Sequence, residues 1–281
     1  MRRNPWEVPE WHALRREALL VRHLIGSGAT AIGKANYADK MGEYYTAFFG
    51  LSVGLERLSK LILVANYAIE NKGRMPNEKI LMKFGHNLIK LIDEVGEVSR
   101  KMQLTLRYSR PTKEIPQKIL ACLDSFADAR RGRYANFSSL DNPNLTSNEP
   151  INKWWGEVAE CILEMHYYGK VAQRRVEGRA ELNDAKISQF TMVLHTNESG
   201  STMQDVKSTS IRNGKNAIVQ KWGRYYSLAI TRWLVMVLSE LTHVACYKHG
   251  IDAFLGFNEY FDCYTVDDEF LKTRKIWPIG S

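Results

Sequence analysis

The residues best suited to chemistry fall in two places. Arg130, Arg131 and Arg133 bracket Gly132, and Tyr134 and Asn136 follow. A guanidinium is a planar fork of donors that matches a phosphate, and a tyrosine ring offers a base a face to stack on. The same residues also suit a purely structural role. Cations at a helix C-terminus are favourable by about 0.3–1 kcal/mol, and one arginine could satisfy a buried acid. The candidate acid is Glu56, set in an apolar run with Lys60 four residues on, the order that favours an i,i+4 pair. His86 is the third group. Imidazole can move a proton near neutral pH, although a lone histidine beside an apolar stripe more often packs or hydrogen-bonds.

Other patterns carry less. Residues 28–35, GATAIGKA, approach the phosphate-cradling P-loop, but Ala35 stands where a hydroxyl should meet magnesium. The segment before the glycines also has helical rather than strand spacing, so these glycines are expected to stop a helix. Glu157, Glu160 and Glu164 share one side of a helical pattern and read as a solvated face; a metal site would need a second helix of Glu-x-x-His type. Cys122, Cys161, Cys246 and Cys263 form no CxxC, which fits reduced thiols in a cytosol. No metal or cofactor is expected.

These groups must be held by helices. Residues 41–70 contain no proline and place Tyr44, Phe48, Leu51, Leu55, Leu58, Ile62 and Ala65 at helical spacing. Phe49, Val53, Leu61 and Val64 cover other faces, so a central core helix is expected. Gly50 and Gly54 lie one turn apart within it. Each costs about 1 kcal/mol in a helix interior, and close approach of a neighbouring helix is the expected compensation. An amphipathic helix precedes it over residues 9–25. Another is expected over residues 77–102, with Leu81, Phe84, Leu88, Ile92, Val95, Val98 and Met102 inward. Ile119, Cys122, Leu123 and Phe126 carry a third, running into the arginine segment.

Residues 137–150, rich in Ser, Asn and Pro, form the clearest boundary. It divides a helical bundle over 1–140 from a second helical region over 150–281. The second region opens with a helix over 152–180. Between 187 and 209 the alternation of Phe190, Met192 and Leu194 allows a small β-hairpin or a long loop. A long helix follows over 216–248, and the aromatic tail from residue 251 is expected to pack back on the body. Exposed, that tail would be an interaction surface. Residues 225–245 are the most hydrophobic window, but Arg232, Glu240 and His243 interrupt it, so a buried helix is expected rather than a membrane span. The N-terminus has no apolar signal-peptide region, and a cytoplasmic location is expected. The formal net charge of +8 permits a polyanionic partner.

Three features in order resemble the HEPN superfamily of helical domains: Glu56-x-x-x-Lys60 in a long apolar helix, Gly85-His86-Asn87-Leu88 opening the next helix turns, and Arg133-Tyr134 after the third helix. The resemblance covers residues 41–137, under half of the chain. It implies an all-α up-and-down bundle, a homodimer or other protein partner, and an RNA- or nucleotide-binding role in a bacterial anti-phage or toxin–antitoxin system. In many members that role is metal-independent RNA cleavage. Nuclease members pair an arginine with a histidine a few residues downstream, but residues 134–140 contain no histidine. The chain's Arg-x6-His pair, Arg16 and His23, lies in the first helix. The assignment made here is Arg133 and His86 as catalytic residues, Arg130, Arg131, Tyr134 and Asn136 as ligand-binding residues, and Glu56 as structural. The alternative is a non-catalytic scaffold that binds a protein partner.

Overall fold

A computed structural model describes residues 4–127, 150–198 and 200–279. Arg130, Arg131, Arg133, Tyr134 and Asn136 lie outside the described residues. Among those described, the chain is mostly helical, with one two-stranded antiparallel hairpin.

Helix α2 spans Gly42–Glu70, and all seven residues of its predicted stripe are buried. Leu61 and Val64 are buried as well, so the helix is covered on several sides; Phe49, on another face, is 46% exposed. Helix α1 (Pro9–Ile32) runs against it at very short range. A Cβ on Gly50 would lie 2.6 Å from the Leu24 carbonyl oxygen, and one on Gly28 would lie 2.8 Å from the Leu51 nitrogen. The glycines therefore let two backbones meet, and the packing gained offsets their helix-propensity cost.

This corrects the expected stop at residues 26–28. The helix continues to Ile32 because Gly26 and Gly28 are contact points: the Pro278 carbonyl occupies the space where a Gly26 side chain would stand. The P-loop reading fails with it. The segment leading into the glycines is helix rather than strand, and Lys34 pairs with Glu43 at 2.7 Å.

The helix expected over 77–102 is two helices, α3 (Glu78–Lys83) and α4 (Leu88–Lys101). Gly85 has φ +69°, a left-handed conformation that breaks the ladder, and each new helix opens on an asparagine cap. Asn77 accepts from the Ile80 N–H at 3.1 Å and Asn87 from the Lys90 N–H at 2.7 Å. Leu81 is consequently exposed and Phe84 only half-buried, not inward as predicted. Leu88, Leu91, Ile92, Val95 and Val98 do face the core. Helix α5 (Glu114–Ala127) buries Ile119, Cys122, Leu123 and Phe126 as expected.

The second region begins with α6 (Pro150–Lys153), a π-helical turn (Trp154–Ala159) and α7 (Glu160–His166). Gly169, at φ +70°, separates these from α8 (Val171–Ile187), so the helix expected over 152–180 is interrupted. The helical spacing of Trp154, Val158, Cys161 and Met165 predicts one inward side, but Met165 is 46% exposed, while Glu157, Glu160 and Glu164 form the anticipated solvated face. Strands β1 (His195–Thr196) and β2 (Thr202–Met203) make the small hairpin. Its turn residue Glu198 is buried and ion-paired with Arg212, whose guanidinium lies 3.8 Å over the Trp155 ring.

Helix α9 (Val206–His243) starts about three turns before the predicted helix and continues as a π-helical turn, Val244–Lys248. It is long and apolar enough to cross a membrane by composition, yet 72% of its most apolar window is buried inside this chain. Phe48 of α2 lies 5.6 Å from both Phe126 and Trp154, so apolar residues from before and after the boundary share one core. The tail packs back as expected. Phe254, Phe257, Phe261, Tyr264, Leu271 and Trp277 are buried. Tyr264 donates to the Arg22 carbonyl at 3.1 Å, and the Trp277 N–H donates to the Thr30 hydroxyl at 2.9 Å. Helix α10 (Asp268–Thr273) lies within this tail and braces α9: Asp268 bonds Arg232 at 2.5 Å.

Candidate functional site at the turn before α4

The left-handed Gly85 and the Asn87 cap fix His86 between them on a short turn, outside either helix. The imidazole is 85% exposed, so of the two commoner roles of a lone histidine it takes the hydrogen-bonded one rather than the packed one. Its Nδ1 lies 2.9 Å from Oε1 of Glu56, and Lys60 Nζ reaches the same oxygen at 2.8 Å. Lys60 Nζ is 3.4 Å from His86 Nδ1. Three groups that the sequence separates by 30 residues thus meet on one carboxylate oxygen.

Glu56 projects from a buried stretch of α2, between Leu55 and Leu58, and its side chain is only 10% exposed. The i,i+4 pair with Lys60 is present as predicted. The arginine partner that the sequence also allowed would come from Arg130, Arg131 or Arg133, outside the described residues; within them the acid is bonded by Lys60 and His86, and the neighbouring Arg57 turns to Glu17 at 2.6 Å. Glu56 thus holds Lys60 and His86 together on one carboxylate.

The chemistry follows from the donors and acceptors. A carboxylate can only accept, so the ring presents Nδ1–H to Glu56. Nε2 is then the basic nitrogen, on a ring that stands in solvent, and among the described residues no group bonds it. This is the arrangement in which an acid fixes the tautomer of a histidine that accepts a proton with its other nitrogen.

Asp124 was not marked by the sequence, and Asn87 stood out only within the Gly85–Leu88 motif, not as a cap. Asp124, near the end of α5, accepts from the Leu88 N–H at 2.6 Å and from the Asn87 amide at 3.2 Å. It ties the end of α5 to the residues beside His86, and it stands six positions before Arg130 in the sequence. The Gly85-x-Asn87 pattern was the available signal, a turn followed by a helix cap; nothing local pointed to Asp124. Among the described residues no group of three or more His, Cys, Asp or Glu side chains comes together. Comparison with family models, with curated proteins and with solved structures returns no match to this chain.

Proposed function

We propose that the chain binds RNA at the His86 corner and cleaves it without a metal, as a component of a bacterial anti-phage or toxin–antitoxin system. The observation that carries this reading is an exposed imidazole whose Nδ1 is held at 2.9 Å by a buried carboxylate, beside a lysine. Nε2 of His86 takes the proton from a ribose 2′-hydroxyl. The 2′-oxygen attacks the adjacent phosphorus, the bond to the 5′-oxygen breaks, and the proton returns to that leaving oxygen. The products are a 2′,3′-cyclic phosphate and a 5′-hydroxyl. Lys60 and Arg133 supply positive charge against the phosphate as its negative charge grows.

The test is cleavage of single-stranded RNA in the presence of a chelator, with the ends identified. His86→Ala should lose about 100-fold or more of the rate, the usual contribution of a general acid–base group. Arg133→Ala should weaken both binding and cleavage. Both variants acting on RNA as well as the parent would remove the reading.

A second reading, a scaffold that assembles with a further copy of the chain, has its own observation. Phe190, Met192 and Leu194 are 79%, 82% and 78% exposed on the segment after α8. The aromatic tail no longer supports this reading, since it is core. Replacing all three residues by serine should lower the solution mass measured by light scattering; an unchanged mass argues against assembly through this segment.

A further inference from the structure

A second cavity lies away from His86, between the connection from α4 to α5 and the outer face of α9. Its volume is about 380 Å³, at the lower end of the range of small-molecule sites. Trp222, Tyr225 and Tyr226 form one wall, at the i, i+3, i+4 spacing that puts side chains on one helical face. Tyr108, Arg110 and Lys113 come from the connection opposite, with Arg232 and Lys272 completing the lining. No Asp or Glu lines it among the described residues.

The rings are held in place before any ligand arrives. His166 stacks on Trp222 with centroids 3.6 Å apart and planes 6° from parallel, and its Nε2 is hydrogen-bonded to the Tyr226 hydroxyl at 2.8 Å. The Tyr225 hydroxyl donates to Asp268 at 3.0 Å. The Arg232 guanidinium lies 3.6 Å over the Tyr108 ring. Such preorganisation lowers the ordering cost of binding.

The cations are unevenly compensated. Arg110 pairs with Asp93 and Arg232 with Asp268, both at 2.5 Å. No ion pair neutralises Lys113 or Lys272 among the described residues, and Lys272 Nζ stands 5.1 Å from the Tyr225 ring centroid. The positive field is felt nearby. His166 is held down to about 4, first by its burial and then by Lys170, Lys221 and Lys272. Arg232 is itself buried and has an Nε without a hydrogen-bond partner. A cavity with aromatic walls and two lysines in no ion pair, of which Lys272 feels Asp268 only at longer range, suits a ligand with a flat ring at one end and an anion at the other.

We propose that this cavity binds a free nucleoside monophosphate, its base against the aromatic wall of α9 and its phosphate against Lys113 and Lys272. The site shares no residue with the His86 corner, so it stands or falls independently of RNA cleavage there.

The experiment is calorimetric titration of the full chain with each of the four ribonucleoside 5′-monophosphates. Parallel titrations use the unphosphorylated nucleosides, inorganic phosphate and a short oligoribonucleotide without terminal phosphates. At least one monophosphate should bind saturably, and more tightly than its nucleoside or phosphate alone. The doubly reversed variant Lys113→Glu/Lys272→Glu changes two side chains that hold no ion pair, so the fold should survive it. It should weaken binding by about tenfold or more, and Trp222→Ala should do the same through lost stacking. His86→Ala should bind as the parent does. Absence of saturable binding up to about 1 mM, binding unchanged in both pocket variants, or binding of the oligoribonucleotide alone would each overturn the proposal.

Discussion

Two charged constellations in this chain are mirror images in burial. At the turn before α4 the acid is inside: Glu56 is 10% exposed, while His86 is 85% exposed. At the contact of α9 with the tail the base is inside: the Arg232 side chain is 6% exposed and Asp268 is 48% exposed. The difference decides what each can do. A buried charge must keep its partners, because leaving it unpaired in a poorly hydrated place is expensive. An exposed partner can be changed, protonated or engaged by a ligand at little cost to the fold. The Glu56 corner turns its reactive group outward. The Arg232 pair keeps its charge inside and uses its neighbours, Tyr108 and Tyr225, to shape a cavity.

The largest test of this contrast is Asp268→Ala. Among the described residues it leaves the Arg232 guanidinium with the Val266 carbonyl, at 2.9 Å, and the Tyr108 face. A loss of about 3 kcal/mol in unfolding free energy is expected, read from equilibrium denaturation. Glu56→Gln should cost less, about 1 kcal/mol, because Lys60 and His86 return to water when released. His86→Ala should change stability by no more than about 0.5 kcal/mol while removing activity. If His86→Ala destabilised the chain as strongly as Asp268→Ala, the corner would be structural and the contrast would fail.

A smaller effect is set by His166. Its ring is neutral in the folded chain until about pH 4, whereas a histidine in the unfolded chain takes its proton near 6.5. Below that value the unfolded state binds more protons, so the stability contributed by the neutral ring is complete above about pH 6.5 and is lost as pH falls towards 4. The ring is only half-buried, and solvent screening limits the loss to about 1–2 kcal/mol. Asp268 works in the same sense at lower pH. Burial opposes its ionisation, but the bonds from Arg232 and Tyr225 outweigh that and hold its carboxyl below the ordinary value. Urea midpoints measured at pH 7 and pH 4.5 should differ less in His166→Gln than in the parent.

The residues differ in how far they could be read without coordinates. The stripe of α2 was legible because an apolar residue every three or four positions has one explanation. Gly26 and Gly28 were misread because a glycine that ends a helix and one that admits a neighbour look alike; the neighbours, Gly50 and Pro278, are distant in the chain. Leu81 and Phe84 fit a helical period, but Gly85 and the two asparagine caps carried the stronger signal. Glu56 and Lys60 were visible as a local pair, whereas His86 joins them only through the tertiary turn. The cavity was invisible for a similar reason. Trp222, Tyr225 and Tyr226 are adjacent on α9, but Tyr108 and Lys272 stand more than a hundred positions and almost fifty positions away from them.

The clasp between the tail and α1 governs the order in which the molecule can be made. Leu255, Tyr264 and Trp277 bond Trp11, Arg22 and Thr30 across 244, 242 and 247 positions of sequence. A ribosome releases α1 long before these residues exist, so the outer side of that helix stays bare through most of synthesis. Closure joins segments more than 240 positions apart, a slow kind of event that leaves apolar surface open in the meantime. The clasp on α1 can therefore close only after Trp277 has left the exit tunnel and reached Thr30.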